Sequence, residues 1–194
     1  REEILHFKKN NQFKKEILNI LVLGGSQAAK SFGEFLPKVF EECTKEEIKI
    51  KIFQQCVESQ NQKLKEKYEN LKIDYELFNF TNNIVEYFSK TELAITRSGS
   101  SVTAELINCK IPFICIPYPH SADSHQDKNA AYFKKKGYGF LIKEKEINEK
   151  LFPLIKAIYN DKEILNKLIE KQKNYSDADV FFKINNEIKN LINE

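Results

Sequence analysis

Six short apolar runs alternate with longer amphipathic stretches along the chain. Asn19-Ile-Leu-Val-Leu23 is almost continuously apolar, which predicts a parallel strand buried on both faces. Ile48-Lys-Ile-Lys-Ile-Phe53 alternates apolar with charged residues, which predicts a strand exposed on one side. Ile73 to Phe78, Leu93 to Thr96, Pro112 to Ile116 and Tyr138 to Ile142 supply four more strands. A helical pattern runs from about Ala28 to Cys43, with Phe32, Phe35, Leu36, Val39 and Phe40 on one face. Pro37 falls inside it, where a kink or an early break is expected. Ser59 to Asn70 reads as a polar helix, Ile84 to Ser89 as a short one after the capping residues of Phe80-Thr-Asn-Asn83, and Ala104 to Lys110 as another. Gln126 to Lys136 places Ala130 and Phe133 inward and Lys134, Lys135 and Lys136 outward, and Gly137 stops it. Three helical segments close the chain: Ile147–Tyr159, Lys162–Lys173 and Ala178–Ile192.

Strand and helix therefore alternate six times. This predicts an α/β, Rossmann-like domain: a six-stranded parallel sheet with helices on both faces and extra C-terminal helices. Residues 1–18 form a polar lead-in with Ile4, Leu5, Phe7 and Phe13 as isolated apolar points, read as partly docked. Residues 19–175 form the domain and 176–194 a C-terminal helix.

Composition narrows the function classes. A chain of 194 residues that is 41% hydrophobic and 30% charged holds one domain with a sizeable core. Its net charge of +3, from 31 basic and 28 acidic residues, does not support nucleic-acid binding by electrostatics alone. No apolar run approaches the roughly 20 residues of a membrane span, and no secretory signal pattern opens the chain. The first residue is Arg1 rather than Met, which reads as a fragment or processed piece. Cys43, Cys56, Cys109 and Cys115 show no CxxC spacing; Cys109 and Cys115 sit in apolar segments and read as buried thiols. That usage fits a reducing cytoplasm.

In parallel sheets of this kind ligands bind at the carboxyl ends of the strands. Four polar, small-residue stretches fall there: Gly24 to Gln27, Phe80 to Asn83, Arg97 to Ser101, and Tyr118 to Gln126. Arg97-Ser-Gly-Ser-Ser-Val-Thr-Ala-Glu105 is the most informative. A Ser/Gly turn at a helix start exposes backbone N–H groups and the positive end of the helix dipole to an anion. Glu105, about one turn in, would repel phosphate and suits neutral hydroxyls. Together they suggest a nucleotide; the plain alternative is a capped helix with a first-turn acid. Gly24-Gly-Ser-Gln-Ala-Ala-Lys30 lacks the spacing and third glycine of G-x-G-x-x-G, which disfavours a nicotinamide dehydrogenase. No GxxxxGK[ST] is present, and Arg97-Ser-Gly-Ser-Ser does not supply a G-x-S-x-G elbow. His120, Asp123 and His125 admit a metal site or a His–Asp pair, against ordinary loop hydrogen bonds. Asp177-Ala-Asp179 lies between C-terminal helices and reads as a helix cap.

Taken as a set, Leu21-Val-Leu-Gly-Gly-Ser-Gln27, Arg97 to Glu105, Ile111-Pro-Phe-Ile-Cys-Ile-Pro-Tyr-Pro-His120 and Asp123-Ser-His-Gln-Asp-Lys-Asn-Ala130 resemble the C-terminal half of the MurG family. These are the bacterial peptidoglycan glycosyltransferases that make lipid II. The resemblance covers roughly residues 19–145 in order and spacing. It implies one half of a GT-B fold. The C-terminal domain would hold UDP-GlcNAc, and an N-terminal domain, absent here, would hold the lipid I acceptor and meet the membrane. The implied reaction is an inverting, metal-independent transfer of GlcNAc without a cofactor, on the cytoplasmic face of the cell membrane.

By position, the resemblance implies that Glu105 bonds the ribose hydroxyls. Ser100, Ser101, Val102 and Thr103, with Ala104 beside them, would hold the diphosphate through backbone N–H groups, and Ser26 would face the same region. Thr81 would lie where main-chain groups read uracil. Gln126 would contact the GlcNAc hydroxyls with His125 beside it, and Arg1 would reach the uridine. Gly25, Gln27 and Arg97 are further candidates. Ser100, Val102 and Ala28 depart from residues common in the family; a backbone contact at 102 survives that change and a hydroxyl contact does not. The candidate general base belongs to the absent half, so no catalytic residue is assigned. Alternatives of the same fold are the stand-alone donor subunit of a two-chain GlcNAc transferase and a UDP-sugar epimerase. A non-enzymatic binding module is the third.

Overall fold

The computed structural model describes residues 2–5, 7, 16–175 and 189. The expected helix at Ala178–Ile192 lies outside the described residues, save Lys189. Six strands form one sheet: β1 (Leu18–Leu23), β2 (Ile50–Gln55), β3 (Asp74–Phe78), β4 (Leu93–Thr96), β5 (Phe113–Cys115) and β6 (Gly139–Leu141). Their spatial order is β3-β2-β1-β4-β5-β6 and all neighbouring pairs are parallel. The helices are α1 (Glu2–Leu5), α2 (Gly25–Lys45), α3 (Glu58–Asn70), α4 (Ile84–Lys90), α5 (Ser100–Asn108), α6 (His125–Lys136), α7 (Ile147–Asn160) and α8 (Glu163–Lys173).

The two-residue period of a strand divides the apolar residues between two cores. On one face Leu18, Ile20 and Val22 of β1 join Ile50 and Ile52 of β2, Ile95 of β4 and Ile114 of β5, under Phe32, Leu36 and Phe40 of α2 and Leu151 and Ile155 of α7. On the other, Leu21 and Leu23 join Phe53, Ala94, Phe113 and Cys115, under Phe88 of α4 and Leu106 and Ile107 of α5. Ile4 of α1 is buried in this second core, so part of the lead-in is docked.

Three local expectations are corrected. β2 is covered on both faces: Phe53 turns into the second core and meets Tyr87 edge-on at 5.9 Å, which the Ile/Lys alternation at its start did not reveal. α2 starts at Gly25 and α5 at Ser100, each several residues earlier than the apolar periodicity indicates. Small polar residues occupy first turns without contributing to an apolar stripe. α2 also continues through Pro37 as one element; the ring forgoes the bond to the Gly33 carbonyl and the stripe on both sides still buries.

Four helices end alike. In α2, α3, α5 and α6 the N–H of Ile48, Ile73, Ile111 or Tyr138 returns to the carbonyl of Cys43, Tyr68, Leu106 or Phe133 at 2.9–3.0 Å. The residue before each is left-handed: Glu47 (φ 55°), Lys72 (φ 54°), Lys110 (φ 56°) and Gly137 (φ 73°). This is the Schellman cap, and the apolar residue after it is buried each time. Gln172 of α8 then donates to the carbonyls of Ile111 (3.1 Å) and Tyr138 (2.7 Å), fixing the lead-ins to β5 and β6. All four cysteines are free and buried. Burial, with a smaller contribution from Glu42, pushes the Cys43 thiol up to about 12, so it is an inert apolar group. No described helix is long and apolar enough to cross a membrane.

The β5–β6 pair depends on one glycine. A Cβ at Gly139 would stand 2.5 Å from the Phe113 carbonyl oxygen and 2.7 Å from its ring, with Phe113 directly opposite in the ladder. Neither neighbour can yield without breaking the strand. Gly139→Ala is expected to cost about 2 kcal/mol or more, measured as a lower urea midpoint at unchanged slope.

Candidate functional site

β1 and β4 are neighbours, and the helices that follow them leave on opposite faces. α2 packs into the first core and α5 into the second. A doubly wound sheet opens a crevice at such a point, outside the carboxyl ends of its strands. Leu23 and Thr96 end the β1–β4 ladder side by side. α2 follows directly from Gly24, and α5 from Gly99. Two helix N-termini, each carrying partial positive charge, therefore flank one crevice.

At α5 the backbone is held in a defined state. Gly99, its cap residue, is extended (φ −68°, ψ 138°) and no side chain caps the helix. The Thr103 N–H makes the first helical bond, to the Gly99 carbonyl at 3.2 Å. Its hydroxyl donates to the carbonyls of Gly99 (2.7 Å) and Ser100 (3.1 Å). Thr103 is thus fully engaged and buried. The N–H groups of Ser100, Ser101 and Val102 precede that bond and have no helical acceptor. Ser100 and Ser101 are exposed, and Val102, Ala104 and Glu105 half-buried. Glu105 is about one and a half turns in, deeper than expected because α5 begins at Ser100.

Arg97 turns inward rather than toward the crevice. It is 4% exposed. Its guanidinium donates to the carbonyls of Ile116 (3.0 Å) and Pro117 (3.1 Å), to the Ser31 hydroxyl and to the Glu144 carboxylate. It also lies 4.5 Å over the Phe32 ring. One side chain thereby ties α2, the β5–α6 loop and the turn after β6 to the end of β4.

The β5–α6 loop is strapped to the same turn. The Ser98 hydroxyl donates to the Gln126 carbonyl (2.8 Å), Asn129 Nδ2 donates to the Ser98 carbonyl (3.0 Å), and the Tyr118 N–H donates to Gln126 Oε1 (3.0 Å). Gln126 therefore sits at the crevice edge with its amide oriented by the backbone. His125 is exposed and its Nδ1–H donates to the Ala122 carbonyl at 2.7 Å. His120 is exposed, with its ring 5.6 Å from that of Tyr118. Asp123 (φ 48°) and Ser124 (φ 52°) are both left-handed just before α6. Among the described residues no group of three or more His, Cys, Asp or Glu is placed to hold a metal ion. Asp177 and Asp179 lie outside the described residues.

Three of the four expected loops meet here. Gly25, Ser26 and Gln27 form the first turn of α2 rather than a loop. Thr81 is on the same edge of the sheet but after β3, two strands from β1 and so about 10 Å to the side. Its hydroxyl accepts from the Asn83 N–H at 3.0 Å. Arg1 lies outside the described residues. Sequence reasoning missed Ser31, Glu144 and Asn129. Only Asn129 carried a signal, three residues after Gln126 and so on the same helical face.

A Rossmann-like sheet with its crevice at the β1/β4 reversal is the fold of one half of a GT-B glycosyltransferase. The chain belongs to a particular group of these: the glycosyltransferase family 28 C-terminal domain, whose model matches residues 19–183. A Pelagibacter ubique protein named UDP-N-acetylglucosamine–N-acetylmuramyl-(pentapeptide) pyrophosphoryl-undecaprenol N-acetylglucosamine transferase is 37% identical over 193 residues, 97% of this chain and 54% of that protein. The Rickettsia bellii protein of the same name is 35% identical over 154 residues, 76% of this chain and 43% of its own. The chain thus spans about half the length of the curated relatives it matches. The crystal structure of Acinetobacter baumannii MurG superposes with a TM-score of 0.77 at 21% identity, over 89% of this chain and 51% of that one. A Staphylococcus aureus MnaA–UDP co-structure gives 0.63 at 15% identity, over 96% and 50%.

The inward position of Arg97 has a measurable consequence. Arg97→Met removes a buried cation and leaves Glu144 and two carbonyls without their donor, so it is expected to cost about 3–5 kcal/mol in chemical denaturation. A loss under about 1 kcal/mol would show that the side chain is not a structural tie.

Proposed function

We propose that this chain is the donor-binding half of an inverting glycosyltransferase that moves GlcNAc from UDP-GlcNAc to lipid I, forming lipid II in peptidoglycan synthesis. The observation that carries the reading is the α5 N-terminus. Ser100, Ser101 and Val102 offer backbone N–H groups at the crevice, and Glu105 stands beyond them on the same helix. The relatives' names supply the substrate. The diphosphate would sit on those three N–H groups, with Ser26, Gly25 and Gln27 of α2 on the opposite side. Glu105 would accept from the ribose hydroxyls and main-chain groups at Thr81 would read uracil. Gln126 and His125 would face the sugar, and Arg1 the uridine.

The chemistry follows from charge. As the bond from the sugar C1 to the β-phosphate oxygen breaks, negative charge grows on the UDP leaving group. Fixed N–H donors and a helix dipole aimed at that charge stabilise it without reorganising. This is how the domain would dispense with a metal. The acceptor hydroxyl attacks from the opposite side of C1, and the base that takes its proton would come from the other half of the enzyme. That half would also carry lipid I and meet the cytoplasmic face of the membrane.

UDP and UDP-GlcNAc should bind the isolated chain weakly in calorimetric titration, and no heat from either with a folded sample would overturn the reading. Glu105→Ala should weaken UDP binding by roughly 1.5–3 kcal/mol, through loss of charge-assisted bonds to the ribose. Ser100→Pro separates backbone from side chain. Proline is tolerated at the first helical position and extended Gly99 accommodates it, so the fold should persist. Removing that N–H should still weaken UDP several-fold, whereas Ser100→Ala should leave it unchanged.

A further inference from the structure

The exposed flank of α6 has no role in the crevice. Lys128, Ala131, Tyr132 and Lys135 fall at the i, i+3, i+4 and i+7 positions of one helical face, with Lys134 and Lys136 beside them, and all six are exposed. Tyr132 is 48% exposed, with Lys136 Nζ 5.8 Å from its ring centroid. From Lys128 to Lys136 there are four lysines and no acid, more positive charge than the chain's entire net +3. None of the four has a carboxylate partner among the described residues. Lys171 of α8 extends the patch, since its side chain lies against Gly137 at the end of α6. Lysines in a last turn complement the helix dipole, which accounts for Lys134 to Lys136. It does not account for Lys128 about two turns earlier on the same flank, or for an exposed aromatic ring between the lysines.

We propose that this flank of α6 is a contact surface for an anionic lipid bilayer. A convex helix face with one tyrosine among lysines suits a membrane interface. The phenol sits at headgroup depth, and the lysine stems lie along the surface with their ammonium groups reaching the phosphates. A single-stranded nucleic acid would want a groove and successive aromatic platforms, and the flank supplies one ring. Each lysine near an anionic surface contributes about fivefold to partitioning, so the cluster gives weak, reversible, salt-sensitive binding. The proposal does not depend on the donor reading.

The test is co-sedimentation of the intact chain with vesicles of phosphatidylcholine alone or with 30% phosphatidylglycerol, at about 50 and 300 mM salt. Binding is expected only to the anionic vesicles and mainly at low salt. Lys134→Glu/Lys135→Glu/Lys136→Glu should reduce it roughly 100-fold or more, and Tyr132→Ser several-fold, with unfolding midpoints and UDP binding measured alongside to confirm intact domains. No partitioning at low salt, equal binding to neutral vesicles, or binding to polyuridylate but not to vesicles would each overturn the proposal.

Discussion

A single buried guanidinium organises the carboxyl edge of the sheet. Loops at strand ends have no ladder of their own, so something must fix them relative to one another. Arg97 does this by spending its donors on two backbone carbonyls, one hydroxyl and one carboxylate that belong to three separate segments. A planar fork with several fixed donors is suited to that task in a way that a lysine is not. Beyond Arg97, Ser98 is tied to α6, and the start of α5 at Ser100 and Ser101 is exposed and has no side-chain cap. Because the tie is made underneath, the exposed N–H groups above it face solvent from a rigid support, which is what recognition of an anion requires.

Much of the architecture was legible because parallel strands buried on both faces announce themselves. Leu18 to Leu23 and Leu93 to Thr96 have no polar alternation to mislead a reader, and their place in the centre of the sheet follows from that. The errors fall at element ends. Ser100, Ser101 and Gly25 to Gln27 contribute nothing to an apolar stripe, so periodicity starts the helices after them, yet they are helical. Three helix stops were invisible for a related reason: glycine marks a left-handed cap only where it is used, and Glu47, Lys72 and Lys110 occupy such positions without it. Gly137 was the one stop the letters disclosed.

The crevice shows a different limit. The polar segments that face it were found by position alone, because the rule about carboxyl edges needs only the order of elements. What each side chain does there was not accessible. Arg97 looked like a ligand group, being the one cation in a turn of small residues, and its partners at Ser31 and Glu144 are remote in the chain. Thr103 reads as an anion-facing residue, yet its N–H bonds the Gly99 carbonyl and its hydroxyl the carbonyls of Gly99 and Ser100. Contacts between distant segments leave no local trace in composition or spacing, so the sequence could nominate the rim and could not say which members turn outward.

The helix caps have a consequence for how such a domain changes over time. α2, α3, α5 and α6 start at the crevice edge and end at the other, so their left-handed cap residues Glu47, Lys72, Lys110 and Gly137 sit at the edge remote from the crevice, whereas Asp123 and Ser124 lie beside it. A left-handed conformation costs an L-residue roughly 1–2 kcal/mol. That cost at Glu47, Lys72 and Lys110 is a reserve the chain has not drawn on. A lineage moving to a hotter habitat could adjust its melting behaviour there, one position at a time, while the crevice edge stayed as it is.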